Sequence, residues 1–80
     1  MKVEVKTYAT LRKFSPPGTS LGDSFIIDLK GNTVTDLLKQ LGIPVKTKLI
    51  IMLNSNRITN INHTLKENDL VVLFPQLGGG

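Results

Sequence analysis

The residues of this chain best placed to do chemistry carry no reactive side chain. They are the closing run Gln76-Leu77-Gly78-Gly79-Gly80, which offers the backbone carboxylate of Gly80. A terminal carboxyl titrates at about 3.5 and is ionised at neutral pH. Without a Cβ, glycine backbone can enter a slot too narrow for any other residue, so Gly79 and Gly80 read as the working end of a slim stalk and Gly78 as its base. Taken alone, three final glycines fit a frayed end or a cloning remnant equally well. What precedes them has to decide.

Other chemistry finds little support. His63 is the only histidine and the chain has no cysteine, so neither a structural zinc site nor a nucleophile-base pair can be assembled; no metal is expected, and His63 reads as a surface turn residue. Asp23, Asp28 and Asp36 fall on a loop, a strand and a helix start, where capping and solvation account for them. Ten Lys and Arg against six Asp and Glu give a formal charge of +4, spread along the sequence, which does not point to a nucleic-acid partner. Lys46, Lys48 and Arg57 read either as ordinary surface charge or as a basic rim that favours an acidic partner.

The elements that must position the end follow from periodicity. Val3, Val5 and Thr7 alternate with Lys2, Glu4 and Lys6, the two-residue period of a half-buried strand. Ala9 to Phe14 is ambiguous, and Ser15 to Asp23 is a loop rich in Pro, Gly and Ser. A second strand over 24–30 sets Phe25, Ile27 and Leu29 on one face. Thr33, followed three residues later by Asp36, forms a capping-box signature, and Val34, Leu37, Leu38 and Leu41 define one apolar face of a two-turn helix that Gly42 and Pro44 stop. Strands over 49–54 and 57–59, joined by a turn at Ser55-Asn56, precede a last strand over 69–75.

Strand, strand, helix, strand, short strand, strand is the order of an α+β, β-grasp (ubiquitin-like) domain: a mixed sheet of four to five strands with one main helix. The domain spans 1–75 and the tail 76–80. The first two strands are expected to pair antiparallel, with the last beside the first in parallel. A two-turn helix shields one side of a sheet, yet the apolar runs Leu49–Leu53 and Val71–Phe74 carry both parities. If Val71 and Leu73 pack under the helix, Val72 and Phe74 lie on the open face with alternate members of the 49–53 run. That face is then a docking patch, or else a loop covers it or the run is a strand buried on both sides. The register of the 49–53 strand stays open, because a slip of one residue reverses every assignment.

Eighty residues make one domain with a modest core. No apolar run approaches the length of a bilayer span, and the charged, alternating start is unlike a signal peptide, so no membrane association and a cytoplasmic location are expected.

With these elements in place, Val5-Lys6-Thr7-Tyr8-Ala9-Thr10-Leu11-Arg12, Leu65 to Pro75 and the final Gly79-Gly80 together resemble the MoaD/ThiS-type ubiquitin-like sulfur carriers. The resemblance covers the whole chain and is nearest the molybdopterin-synthase small subunit. Gln76 departs from it by standing where that branch has a second proline, and Asn68 stands where glycine is common.

The resemblance implies a sulfur carrier in the biosynthesis of molybdopterin, the molybdenum or tungsten cofactor. A ubiquitin-activating-type adenylyltransferase using ATP and Mg²⁺ would convert the Gly80 carboxylate to an acyl-adenylate. A persulfide donor would then leave a Gly80 thiocarboxylate, for use by the molybdopterin-synthase large subunit or another sulfur acceptor enzyme. The chain would be a carrier or synthase subunit rather than a stand-alone enzyme, holding no permanent cofactor, with Val72, Phe74, Pro75, Leu77 and Gly78 meeting its partners. Three other readings remain open: a thiamine-pathway carrier, a ubiquitin-like modifier joined through Gly80 to lysine, and a non-catalytic β-grasp binding module.

Overall fold

The computed structural model describes residues 1–76. Five strands form one sheet: β1 (Lys2–Thr7), β2 (Phe25–Asp28), β3 (Leu49–Leu53), β4 (Asn56–Ile58) and β5 (Leu70–Pro75), in the spatial order β2-β1-β5-β3-β4. β1 pairs antiparallel with β2 and parallel with β5, while β3 pairs antiparallel with both β5 and β4. The expected mixed sheet is therefore present, with β5 bonded on both sides.

One helix, α1 (Val34–Leu41), covers one face. It starts where its capping box dictates. The Thr33 side chain accepts from the Asp36 amide at 3.1 Å, and the Asp36 carboxylate accepts from the Thr33 amide at 3.1 Å and the Asn32 amide at 3.0 Å. These bonds, first that from the Asn32 backbone and then those of Thr33, lower the Asp36 pKa below its ordinary value. Gly42 ends the helix in the left-handed conformation, φ 85°.

The core lies between α1 and the sheet. Val3, Val5, Leu37, Leu38, Val71 and Leu73 are buried almost completely, joined by Leu29, Val34, Ile43, Ile51, Leu53 and Leu65. Each such side chain contributes about 1.5–3 kcal/mol on burial, so the fold rests on roughly a dozen aliphatic residues without a disulfide. The ambiguous stretch Ala9–Phe14 is a 3₁₀ helix whose Leu11 joins this core. The β3–β4 hairpin turns one residue earlier than the sequence suggests. Leu53 pairs with Asn56, so Asn54 and Ser55 are its two central residues, with φ 49° and 74°. Positive φ at both matches the twist of the flanking strands.

Candidate functional site

The site is built on β5. Its strict alternation puts Val71 and Leu73 under α1, both fully buried, and leaves Val72 and Phe74 half-buried on the face the helix does not cover. The pairing with β3 settles the open register: Phe74 lies opposite Ile50, and Val72 opposite Met52. Ile51 and Leu53 thereby go to the core, while Ile50 and Met52 join the open face. On the other side Lys6 of β1 lies opposite Val72.

Tyr8 completes the patch. Its amide donates to the Leu73 carbonyl at 3.1 Å, and its ring stacks on Phe74 with centroids 4.8 Å apart and planes inclined by 9°. Such stacking contributes about 0.5–1.5 kcal/mol beyond area burial. The two rings, Val72, Met52 and Leu70 line a shallow depression of ≈ 290 Å³, edged by Lys6 and Ser55. Tyr8 was not among the residues singled out in the sequence. Its signal was the parity of β1, since Lys2, Glu4 and Lys6 point to the open face and continuing the count reaches Tyr8.

The open face leads to the tail. Pro75 is half-buried opposite Leu49, and the Gln76 amide donates to the Lys48 carbonyl at 3.1 Å, so the backbone is held as far as Gln76. Val72, Phe74 and Pro75 are thus brought together with Tyr8 and Ile50. Leu77, Gly78, Gly79 and Gly80 lie outside the described residues.

Elsewhere, the exposed His63 lines a hollow of ≈ 280 Å³ together with Leu53, Ile58, Asn54, Lys66 and Asp69. The Asp69 carboxylate is already engaged there, accepting from the Asn54 side chain at 2.9 Å and the Lys66 amide at 2.7 Å. Among the described residues no group of three His, Cys, Asp or Glu side chains is placed to hold a metal, and no helix is long and apolar enough to cross a membrane.

A mixed sheet with a parallel central pair, one covering helix and an uncovered apolar face defines a ubiquitin-like β-grasp protein. The fold is shared by SAMP1 from Haloferax volcanii, with a TM-score of 0.68 at 19% identity over 100% of both chains. It is shared equally by the small archaeal modifier protein 1 from Methanosarcina acetivorans, with a TM-score of 0.67 at 22% identity over 99% of this chain and 96% of that one. The complex of subunits 1 and 2 of molybdopterin-converting factor from Helicobacter pylori contains a chain matched at 29% identity and a TM-score of 0.56, over 100% of both chains. Comparison with curated proteins finds no match. The model of the ThiS family matches residues 5–80, and the chain belongs to that family.

Proposed function

We propose that this protein is a sulfur carrier for molybdopterin biosynthesis, with Gly80 as the terminal residue of its working form. The observation that carries the reading is the continuity of β5: one strand supplies the apolar open face and then leads, through Gln76, into Leu77-Gly78-Gly79-Gly80. Family membership and the likeness to a molybdopterin-converting-factor chain found with its second subunit support the pathway.

The chemistry follows from the carboxylate. Its oxygen is a poor leaving group, so sulfur cannot replace it directly. The Gly80 carboxylate attacks the α-phosphate of ATP in an adenylyltransferase, releasing pyrophosphate and forming an acyl-adenylate. The terminal sulfur of a donor persulfide then attacks the Gly80 carbonyl carbon and expels AMP. Thiol exchange at the resulting acyl disulfide leaves the Gly80 thiocarboxylate, and the donor departs as a disulfide. Mg²⁺ neutralises the phosphates during the first step, with ligands from the activating enzyme. Phe74, Val72 and Tyr8 seat the carrier on its partners, Pro75 and Leu77 continue that contact, and Gly78 and Gly79 thread the channel.

Incubation with the cognate adenylyltransferase, ATP and a persulfide donor should raise the intact mass by the difference between sulfur and oxygen. Gly80→Ala, or one residue added after Gly80, should abolish AMP formation without changing the unfolding midpoint. Unchanged AMP formation by these variants refutes the reading. In protein from native cells, residues retained beyond Gly80 would refute it as well, and lysine conjugates bearing a glycine remnant in place of thiocarboxylate would assign the modifier role.

A further inference from the structure

Four of the ten Lys and Arg, dispersed along the sequence, are gathered by the fold at one end of the molecule, while Lys2, Lys30 and Lys66 lie away from it. Where β5 finishes, the Lys48 carbonyl receives the Gln76 amide, and Lys46 stands two residues earlier. Arg12 and Lys13 lie on the 3₁₀ helix directly after Tyr8, whose ring stacks on Phe74. Arg12, Lys13, Lys46 and Lys48 are all exposed.

Acidic residues collect at the opposite end. Glu4 lies beside Leu70 at the start of β5, and its amide donates to the Asp69 carbonyl. Glu67 accepts from the Lys2 amide, and Asp28 meets the N-terminal ammonium at 3.4 Å. Asp36 caps the start of α1, where Thr33 bridges to Thr64. Asp23, before β2, is the acid left on the cationic half.

The four cations are not neutralised internally. Among the described residues, the pair between the N-terminus and Asp28 is the only salt bridge. Lys13 holds its ammonium 5.3 Å from the centre of the Phe14 ring, which leaves its charge uncompensated. The molecule is therefore a dipole whose positive pole surrounds the strand end that leads to Leu77.

We propose that this positive pole is a docking surface for a partner protein whose seat is apolar at its centre and acidic around its rim. The inference rests on the carrier reading and specifies the surface of the activating enzyme. Phe74, Tyr8 and Ile50 match the apolar centre, and Lys46, Lys48, Arg12 and Lys13 match the acidic rim. Rim charges govern encounter more than the lifetime of the complex, and their attraction extends about 8–10 Å into physiological salt, beyond the reach of apolar contact. The pole thus turns the tail-bearing end toward the enzyme before Phe74 touches it. RNA, another polyanion, is a poorer match because it calls for aromatic faces free to stack on bases, whereas Tyr8 and Phe74 face each other.

The test compares two triple charge reversals of equal net change: Lys13→Glu, Lys46→Glu and Lys48→Glu at the pole, and Lys2→Glu, Lys30→Glu and Lys66→Glu away from it. Pyrophosphate release by the cognate adenylyltransferase is measured against carrier concentration in low and high salt, with unfolding midpoints recorded. The pole variant should raise KM at least about tenfold in low salt with kcat kept, the gap closing in high salt, while the distal variant stays within about twofold. Lys46→Gln with Lys48→Gln should give a smaller rise of the same kind, and serves if the reversal unfolds the domain. Equal effects of the two triples, or a gap indifferent to salt, overturn the proposal alone. Failure of the wild type to be adenylated overturns the carrier reading and the proposal with it. Binding of a single-stranded RNA more tightly than the enzyme at physiological salt, lost only in the pole variant, would assign the pole to nucleic acid and also overturn it.

Discussion

Gly31→Ala tests whether the start of α1 depends on the geometry described above. Gly31 has φ +111°, and an added Cβ would lie 2.5 Å from Asp36 Oδ2, 2.6 Å from its Cγ and 2.8 Å from its Cβ. Two costs result. A non-glycine residue in such a backbone conformation carries about 1–3 kcal/mol of strain. Pushing the Asp36 carboxylate aside also breaks its bonds to the Asn32 and Thr33 amides and loosens the reciprocal Thr33 cap, and an N-cap alone contributes about 1 kcal/mol. Together the loss is about 2–4 kcal/mol, against a total of roughly 4–12 kcal/mol for a domain of this length. Urea denaturation followed by circular dichroism measures it.

Gly18→Ala is the matched control, since Gly18 has φ +88° but nothing within 4 Å of its added Cβ, so it carries strain without collision. The difference between the two variants isolates the capping box. It should also depend on pH. The folded Asp36 pKa lies below its unfolded value, so the stabilisation from the carboxylate is fully present above the unfolded value, about 3.9, and is lost as pH falls through the lower folded value. The gap between wild type and Gly31→Ala should narrow in that acid range. If Gly31→Ala matches Gly18→Ala at pH 7 and the gap ignores acid, the account of the helix start is wrong.

Three further outcomes follow from the sheet. Leu73→Ala should cost about 2–5 kcal/mol, because its side chain is fully buried. By contrast, Phe74→Asp, one residue on and facing outward, should keep cooperative unfolding yet weaken binding to the adenylyltransferase at least about tenfold by calorimetry; loss of cooperativity would place Phe74 in the core. Ser55→Gly should raise stability by about 0.5–1 kcal/mol in urea, because Ser55 holds φ 74° at the second position of a two-residue hairpin turn where glycine is favoured, and a loss would argue against that turn.

Where the sequence was most legible, one signal had one structural meaning. Thr33 and Asp36 at capping-box spacing, with leucines at helical intervals ending in Gly42, located α1 almost to the residue. Asn68, standing where glycine is common in the resembling family, takes the left-handed conformation with φ 69°. Val71 to Phe74 and Leu49 to Leu53 are both apolar at every position, so the sequence could state the faces of β5 only conditionally; burial of Val71 and Leu73 decided them, and the register of β3 came from its pairing with β5. The β3–β4 turn was displaced by one because Asn54, Ser55 and Asn56 all suit turns, and twist rather than composition chose the first two. The dipole was illegible for a different reason. Arg12 and Lys48 are distant in sequence and reach the same end only because β1 and β3 flank β5. The glycines predicted to carry the chemistry lie outside the described residues, so their part rests on residue type and family alone.

The central place of β5 ties the open face to the core. A strand bonded on both sides opens only with much of the sheet, so the part of β5 paired with both β1 and β3, Val71 to Leu73, is held most firmly, while Phe74 and Pro75 are paired with β3 and Gln76 is tied by its bond to Lys48. The same constraint makes the face intolerant of slippage. Moving β5 by one residue would bury Phe74 and expose Leu73, erasing the core and the patch together. A residue inserted after Gln76 would leave both faces intact and lengthen the chain beyond them by at most about 3.3–3.6 Å. The sheet thus sets the orientation of the chain as far as Gln76, and on the proposed reading the residues after it answer to the partner rather than to the fold.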